Sequence, residues 1–198
     1  EARVYLPNRF TDGYGPNESV YKYFIEQEGI SLIITVDNGV AGNEAIAYAQ
    51  EQGVDVIVTD HHSMPSQLPE AYAIVHPEHP GADYPFKYLA GCGVAFKIAT
   101  ALLETIPTEM LDLVAIGTIA DMVSLTDENR IMVKVGLEIL KTTERIGLQE
   151  LLRISEVDLT TISEETVAFK IAPQLNALGR LDDPNPAIEL LTLSLIHI

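Results

Sequence analysis

The sequence predicts an α/β protein: a doubly wound, mostly parallel sheet followed by a helical segment. Three observations carry this. Residues 31–36 (SLIITV) and 54–59 (VDVIVT) are short and rich in β-branched residues, and the second, bounded by Gly53 and Asp60, reads as a buried parallel strand. A helical stretch opening at Asn43 and running through Gln52 lies between them, which is the strand, helix, strand order of a βαβ unit. From Tyr88 onward the apolar spacing becomes that of helices.

Taken in order, residues 1–6 (EARVYL) read as a strand and residues 7–17 as a turn-rich loop. Asn17 caps a helix over residues 18–28, in which Val20, Phe24 and Ile25 recur at helical spacing. Residues 72–75 (YAIV) add a further strand before His76 and Pro77. Residues 89–97 lead into a helix reaching about Glu104, and Thr108 caps another through Ala120, both apolar on most faces. Helices near 128–142, 147–153 and 164–171 follow, with no internal repeat and no low-complexity linker. The division expected is 1–125 for the α/β domain and 126–198 for the helical segment.

At 198 residues the chain can bury one substantial core, or one domain and part of another. A hydrophobic content of 47% excludes wholesale disorder. The net charge of -17, from 29 acidic and 12 basic residues, argues against a DNA binder that works through a broad basic face. It leaves room for an enzyme that reaches nucleic acid through metal ions and a few arginines. A single cysteine, Cys92, rules out a disulfide framework within the chain and fits a reducing compartment. No apolar run approaches the ~20 residues of a membrane span, and the first residues lack a signal-peptide pattern, so a cytoplasmic location is expected.

The most informative stretch is Asp60-His61-His62, a carboxylate and two imidazoles at the end of an apolar strand. In open parallel sheets ligands bind in the crevice beyond the carboxyl ends of the strands. The preceding strand delivers a second carboxylate there, in Asp37-Asn38-Gly39, one βαβ unit earlier. Two successive strands therefore end in metal-competent side chains. A third carboxylate, Asp121, closes the apolar stretch 115–123; left unpaired in a dry interior it would cost several kcal/mol, so it is either exposed at the helix end or a metal ligand.

These residues resemble the DHH phosphoesterase superfamily: Asp60-His61-His62, with Asp37-Asn38-Gly39 upstream and Gly117-Thr118-Ile119-Ala120-Asp121 downstream. Within it, further elements resemble the bacterial RecJ single-stranded-DNA exonucleases: Pro7-Asn8-Arg9, the run from Gly13 to Asn17, Leu89 to Lys97, Ile171-Ala172-Pro173, Leu175-Asn176-Ala177 and Gly179-Arg180. Five motifs in the right order make chance agreement very improbable. The resemblance implies a 5′-to-3′ exonuclease acting on single-stranded DNA in repair and recombination, with Mn2+ or Mg2+. Carried over, Asp37, His61 and Asp121 would be metal ligands, with Asp60 and His62 as ligands or as partners behind them. Arg9 and Arg180 would hold phosphates of the DNA end, with Asn176 nearby, and ion pairs with Asp12 or Asp182 are the plainer reading of the two arginines. Single-strand-binding protein and a helicase are the partners implied, and no membrane. Phosphodiester hydrolysis needs hydroxide at neutral pH and neutralisation of phosphoryl charge, which paired metals supply.

The departures from the pattern set limits. An Asp-x-Asp motif at an earlier strand and a DHH-associated C-terminal domain are expected of such enzymes and are not found in this sequence, so the 198-residue chain is expected to be inactive or nearly so alone. Residues 193–198 do not continue the pattern, and His197 is not read as a ligand. His76 has no assigned role. Two other readings are open: a small DHH phosphodiesterase acting on oligonucleotides or cyclic dinucleotides, and a non-catalytic DHH-fold binding module. The second tends to lose metal ligands, which are retained here.

Overall fold

The computed structural model describes residues 2–181 and 183–192, with Leu181 in backbone only, and contains one open sheet of three parallel strands. Strand β1 is Leu32–Val36, β2 is Asp55–Thr59 and β3 is Ala73–Val75, in that spatial order. Helix α1 (Glu18–Glu28) precedes β1, α2 (Asn43–Glu51) joins β1 to β2, and α3 (Gly91–Leu103) follows β3. The α/β, parallel-sheet expectation therefore holds. The β2 to β3 connection has no helix, although parallel crossovers usually carry one.

The chain forms two compact units, residues 12–106 with the sheet and residues 1–11 with 107–198. In the first, Asn17 caps α1 as its position predicts: its side chain accepts from the Ser19 and Val20 amides, and Gly29 ends the helix in the left-handed region. The core of this unit joins Tyr21 of α1 and Ala45, Ile46 and Ala49 of α2 to Val56 and Val58 of β2. Ile46, Val56 and Val58 are completely buried, each worth about 1.5–3 kcal/mol of transfer free energy. Leu32, Ile34 and Val36, which alternate onto one face of β1, are about half exposed.

The second unit is helical: a 3-10 turn at Thr108–Met110, then α4 (Leu111–Ala120), α5 (Asp127–Leu140), α6 (Ile146–Ile154), α7 (Glu164–Thr166), a π segment at Val167–Ile171, α8 (Ala172–Leu181) and α9 (Pro186–Thr192). Its core joins Ile116 and Ile119 of α4 to Leu140, Leu148 and Ile171. A buried ion pair locks it: Arg145 Nε lies 3.0 Å from Asp112 Oδ2, which also accepts from Thr143 Oγ1 at 2.9 Å.

Three local expectations are corrected. Residues 2–6 form no strand: an extended run needs a neighbouring ladder, and here the Asn185 side chain takes the Leu6 backbone, accepting its N–H at 2.9 Å and donating to its carbonyl at 3.2 Å. Thr108 is not the cap of α4; it opens a 3-10 turn after Pro107, and α4 begins at Leu111. Helices α8 and α9 were not foreseen, because Pro173 and Gly179 read as breakers. Pro173 is the second residue of α8, one position beyond the π segment, where the helical ladder already changes register and a missing N–H costs least. Asp182 and residues 193–198, including His197, lie outside the described residues.

Candidate metal centre

The strand register builds the site. Val36 pairs with Thr59, and Thr59 pairs with Val75, so all three strands end at the same level. The residues that leave them, Asp37, Asp60 and His76, therefore emerge side by side. Asp37 turns at once into the left-handed region with φ 62°, a conformation that costs an ordinary L-residue roughly 1–2 kcal/mol and that Asp tolerates better than most. Its own N–H donates to Thr59 O at 2.9 Å, extending the ladder one step beyond β1.

Hydrogen bonds hold this turn in place. Thr35 Oγ1 donates to Asn38 O at 2.6 Å and accepts the Thr59 N–H at 3.2 Å, while Asn38 Nδ2 donates to Val36 O at 2.9 Å. Gly39 follows with φ 123°; a Cβ there would stand 2.7 Å from Thr35 Oγ1 and 2.9 Å from a Val58 methyl. Only glycine fits both the angle and the space.

Asp60 is 1% exposed and accepts four hydrogen bonds. Its Oδ2 takes the Val40 N–H at 3.0 Å; its Oδ1 takes the His61 N–H at 2.7 Å, the His62 N–H at 3.1 Å and the His62 ring at Nδ1, 2.7 Å away. Burial pushes the Asp60 carboxyl up, but the bonds from Val40, His62 and His61 outweigh it and hold the carboxyl below the usual range. This carboxylate ties the turn after β1 to the loop after β2.

The His62 ring is thereby oriented. Asp60, as a carboxylate, can only accept, so Nδ1 carries the proton and Nε2 presents its lone pair from a side chain 60% exposed. His61 Nε2 lies 3.0 Å from Asp37 Oδ1, with a side chain 13% exposed. Asp37, His61 and His62 each offer a ligand atom, and these atoms all lie within 4.8 Å of one another. Two donors about 2.1 Å from one ion stand at most about 4.2 Å apart, and the spacing of these three atoms is close to that limit. One carboxylate with two imidazoles is a donor set suited to Mn2+ and acceptable to Mg2+.

The remaining predicted residues belong to the other compact unit. Asp121 is exposed at the end of α4, its N–H donating to Gly117 O at 3.0 Å. Arg9 is exposed in a turn organised by Asn8, whose side-chain oxygen accepts the Phe10 and Thr11 amides. Asn176 and Arg180 are exposed one turn apart on the same face of α8. Reading the sequence had missed the backbone amide of Val40 and the Thr35 and Thr59 hydroxyls, which carry no sequence signal. His76 was named there without a role; like Asp60, it directly follows an apolar strand.

Three metal-competent side chains, Asp37, His61 and His62, thus gather beside a buried aspartate at the strand ends of a parallel α/β sheet. The model of the DHH family, N-terminal domain, matches residues 1–118, and the chain belongs to that family. It is 54% identical over 187 residues to the single-stranded-DNA-specific exonuclease RecJ of Bacillus subtilis (strain 168), covering 94% of this chain and 24% of that protein. The crystal structure of exonuclease RecJ bound to manganese superposes with TM-score 0.82 and 34% identity, over 94% of this chain and 48% of that one. The crystal structure of RecJ from Thermus thermophilus in complex with Mg2+ gives TM-score 0.61 and 34% identity, over 81% of this chain and 22% of that one. The chain thus spans less than half the length of these relatives.

Proposed function

We propose that the chain is part of the catalytic core of a metal-dependent 5′-to-3′ exonuclease that hydrolyses phosphodiester bonds of single-stranded DNA, in repair and recombination. The observation that carries this reading is the convergence of Asp37, His61 and His62 donor atoms within 4.8 Å at the sheet edge, in a chain similar to RecJ exonucleases. Bound Mn2+ or Mg2+ would supply a hydroxide at neutral pH and neutralise charge on the phosphoryl oxygens. Asp37 and His61 would hold the ion. Asp121 is assigned to the same role. His62 presents Nε2 outward, to the ion or to an oxygen of the scissile phosphate, while Asp60 acts behind the ligands, since both of its oxygens are occupied by N–H groups. Arg9 and Arg180 grip phosphates through planar guanidinium forks, with Asn176 as a polar contact.

In this reading residues 1–125 make up the DHH domain and 126–198 a helical segment. The 198-residue chain, which spans 24% of the Bacillus subtilis RecJ protein, is expected to bind Mn2+ and to turn over little or no DNA by itself. Single-strand-binding protein and a helicase are its assigned partners, and the cytoplasm its location; among the described residues no helix is long and apolar enough to cross a membrane.

The test is Mn2+ titration of the purified chain, followed by electron paramagnetic resonance, beside release of nucleotides from an end-labelled single strand. We expect saturable binding that Asp37→Asn and His61→Ala each weaken by about 10-fold or more, with negligible release. Absence of saturable binding would overturn the metal reading, and robust Mn2+-dependent release would overturn the expectation of little turnover. Preference for a dinucleotide or a cyclic dinucleotide over a long strand would point to a small phosphodiesterase instead.

A further inference from the structure

His76 sits at the end of β3 and is 5% exposed, with a role outside the ligand set. Its ring is committed at both nitrogens. Nδ1 faces the Glu78 N–H at 3.0 Å, and an N–H can only donate, so Nδ1 accepts. Nε2 faces the His62 carbonyl oxygen at 2.8 Å, and a carbonyl can only accept, so Nε2 donates. Both bonds independently specify the same neutral tautomer. The His76 backbone is fixed as well: its carbonyl accepts the His79 N–H at 3.1 Å, and the preceding Val75 carbonyl accepts the Asp60 N–H at 3.2 Å.

We propose that His76 is a positioning residue for the metal centre, anchoring the His62 peptide from the β3 side so that Asp60 can aim the His62 ring. His62 is then held at three points. Its N–H and Nδ1 go to Asp60 Oδ1, and its carbonyl oxygen goes to His76. The first two bonds fix the N-terminal side and the ring of His62 through Asp60, which is itself tied to Val40 and Val75. The third comes from a buried side chain at the end of the neighbouring strand and fixes the C-terminal side of the same residue. His76 touches neither Asp37 nor any donor atom of the cluster; it acts through the loop.

The inference rests on the metal-centre reading for its consequence but not for its geometry, and the experiment separates the two. Ring ¹⁵N and ¹H shifts of His62 are recorded in chelator-treated protein, and Mn2+ affinity is then measured on the same samples. In the unaltered chain, His62 should show the pattern of a ring protonated at Nδ1. His76→Phe keeps the ring volume and removes both bonds; it should average the His62 ring signals toward a tautomer mixture and weaken Mn2+ binding by about 10-fold. His76→Gln, whose amide reaches about as far as Nε2, should restore both readouts. Unchanged His62 signals in a folded His76→Phe chain would overturn the proposal, as would averaged signals in His76→Gln. If Phe does not fold, the Gln variant alone decides. Intact His62 signals with no Mn2+ binding in the unaltered chain would sink the metal reading and leave the anchoring standing.

Discussion

Asp60 is the residue on which the site turns. It is buried and carries four hydrogen bonds to N–H groups on two loops, so its ionised form is favoured in the folded state and its carboxyl lies below the usual range. A carboxyl depressed on folding contributes stability that is fully present above its unfolded value, near 3.9, and is lost as pH falls through the folded value. Urea midpoints of metal-free protein should therefore fall steeply as pH drops below about 4, and Asp60→Asn should flatten that limb; parallel limbs for the two proteins would exclude Asp60 as its source. The same substitution replaces an acceptor by an amide N–H2 that faces other donors. It should also weaken Mn2+ binding by about 10- to 100-fold in a calorimetric titration.

At the scale of elements, α3 approaches the metal centre through Gly91. A Cβ on Gly91 would stand 2.5 Å from both Cβ and Cγ of Asp37 and overlap its carboxylate oxygen as well. Gly91 therefore serves close packing, and its partner is a proposed ligand. Gly91→Ala improves helix propensity by up to about 1 kcal/mol yet must push Asp37 aside. We expect near-normal helicity by circular dichroism with Mn2+ affinity lowered by about 10-fold or more, and unchanged affinity would show that Asp37 has room to move. How much of the elements was legible follows from period and punctuation. α1 was readable from Asn17 and its apolar spacing, and β2 from its β-branched run. Residues 2–6 were misread because strand character depends on a partner that sequence does not display. α8 was missed because Pro173 is a breaker except where the ladder has already shifted.

On the scale of the whole molecule, two kinds of stabilisation are separable. In the helical unit, Asp112 is 1% exposed and paired with Arg145 and Thr143. Asp112→Ala leaves a partly buried guanidinium without its partner and should cost about 3–5 kcal/mol in urea unfolding, whereas a loss below about 1 kcal/mol would mean that water replaces the pair. In the sheet unit, metal that binds only the folded state adds stability by mass action. Mn2+ at about 100 times its dissociation constant should add about 2.7 kcal/mol, reversed by chelator, and a melting temperature indifferent to Mn2+ would contradict a folded-state site.

The sequence alone determined the chemistry available: Asp37 and the Asp60-His61-His62 triplet, placed just after apolar β-branched runs, are legible because a strand-forming pattern and a polar end are local properties. It also determined the parallel α/β class, since two such runs with a helix between them have few other ways to pair. The tertiary structure alone decided which of these side chains are exposed at the strand ends and which is buried behind them. Asp60 and Asp37 are alike as letters. One is buried under four N–H donors and the other left half exposed beside His61, because the alignment of Val36, Thr59 and Val75 sets where each strand end opens. Register and burial come from contacts between segments far apart in the chain, and so His76 acquires its place only when β3 docks against β2.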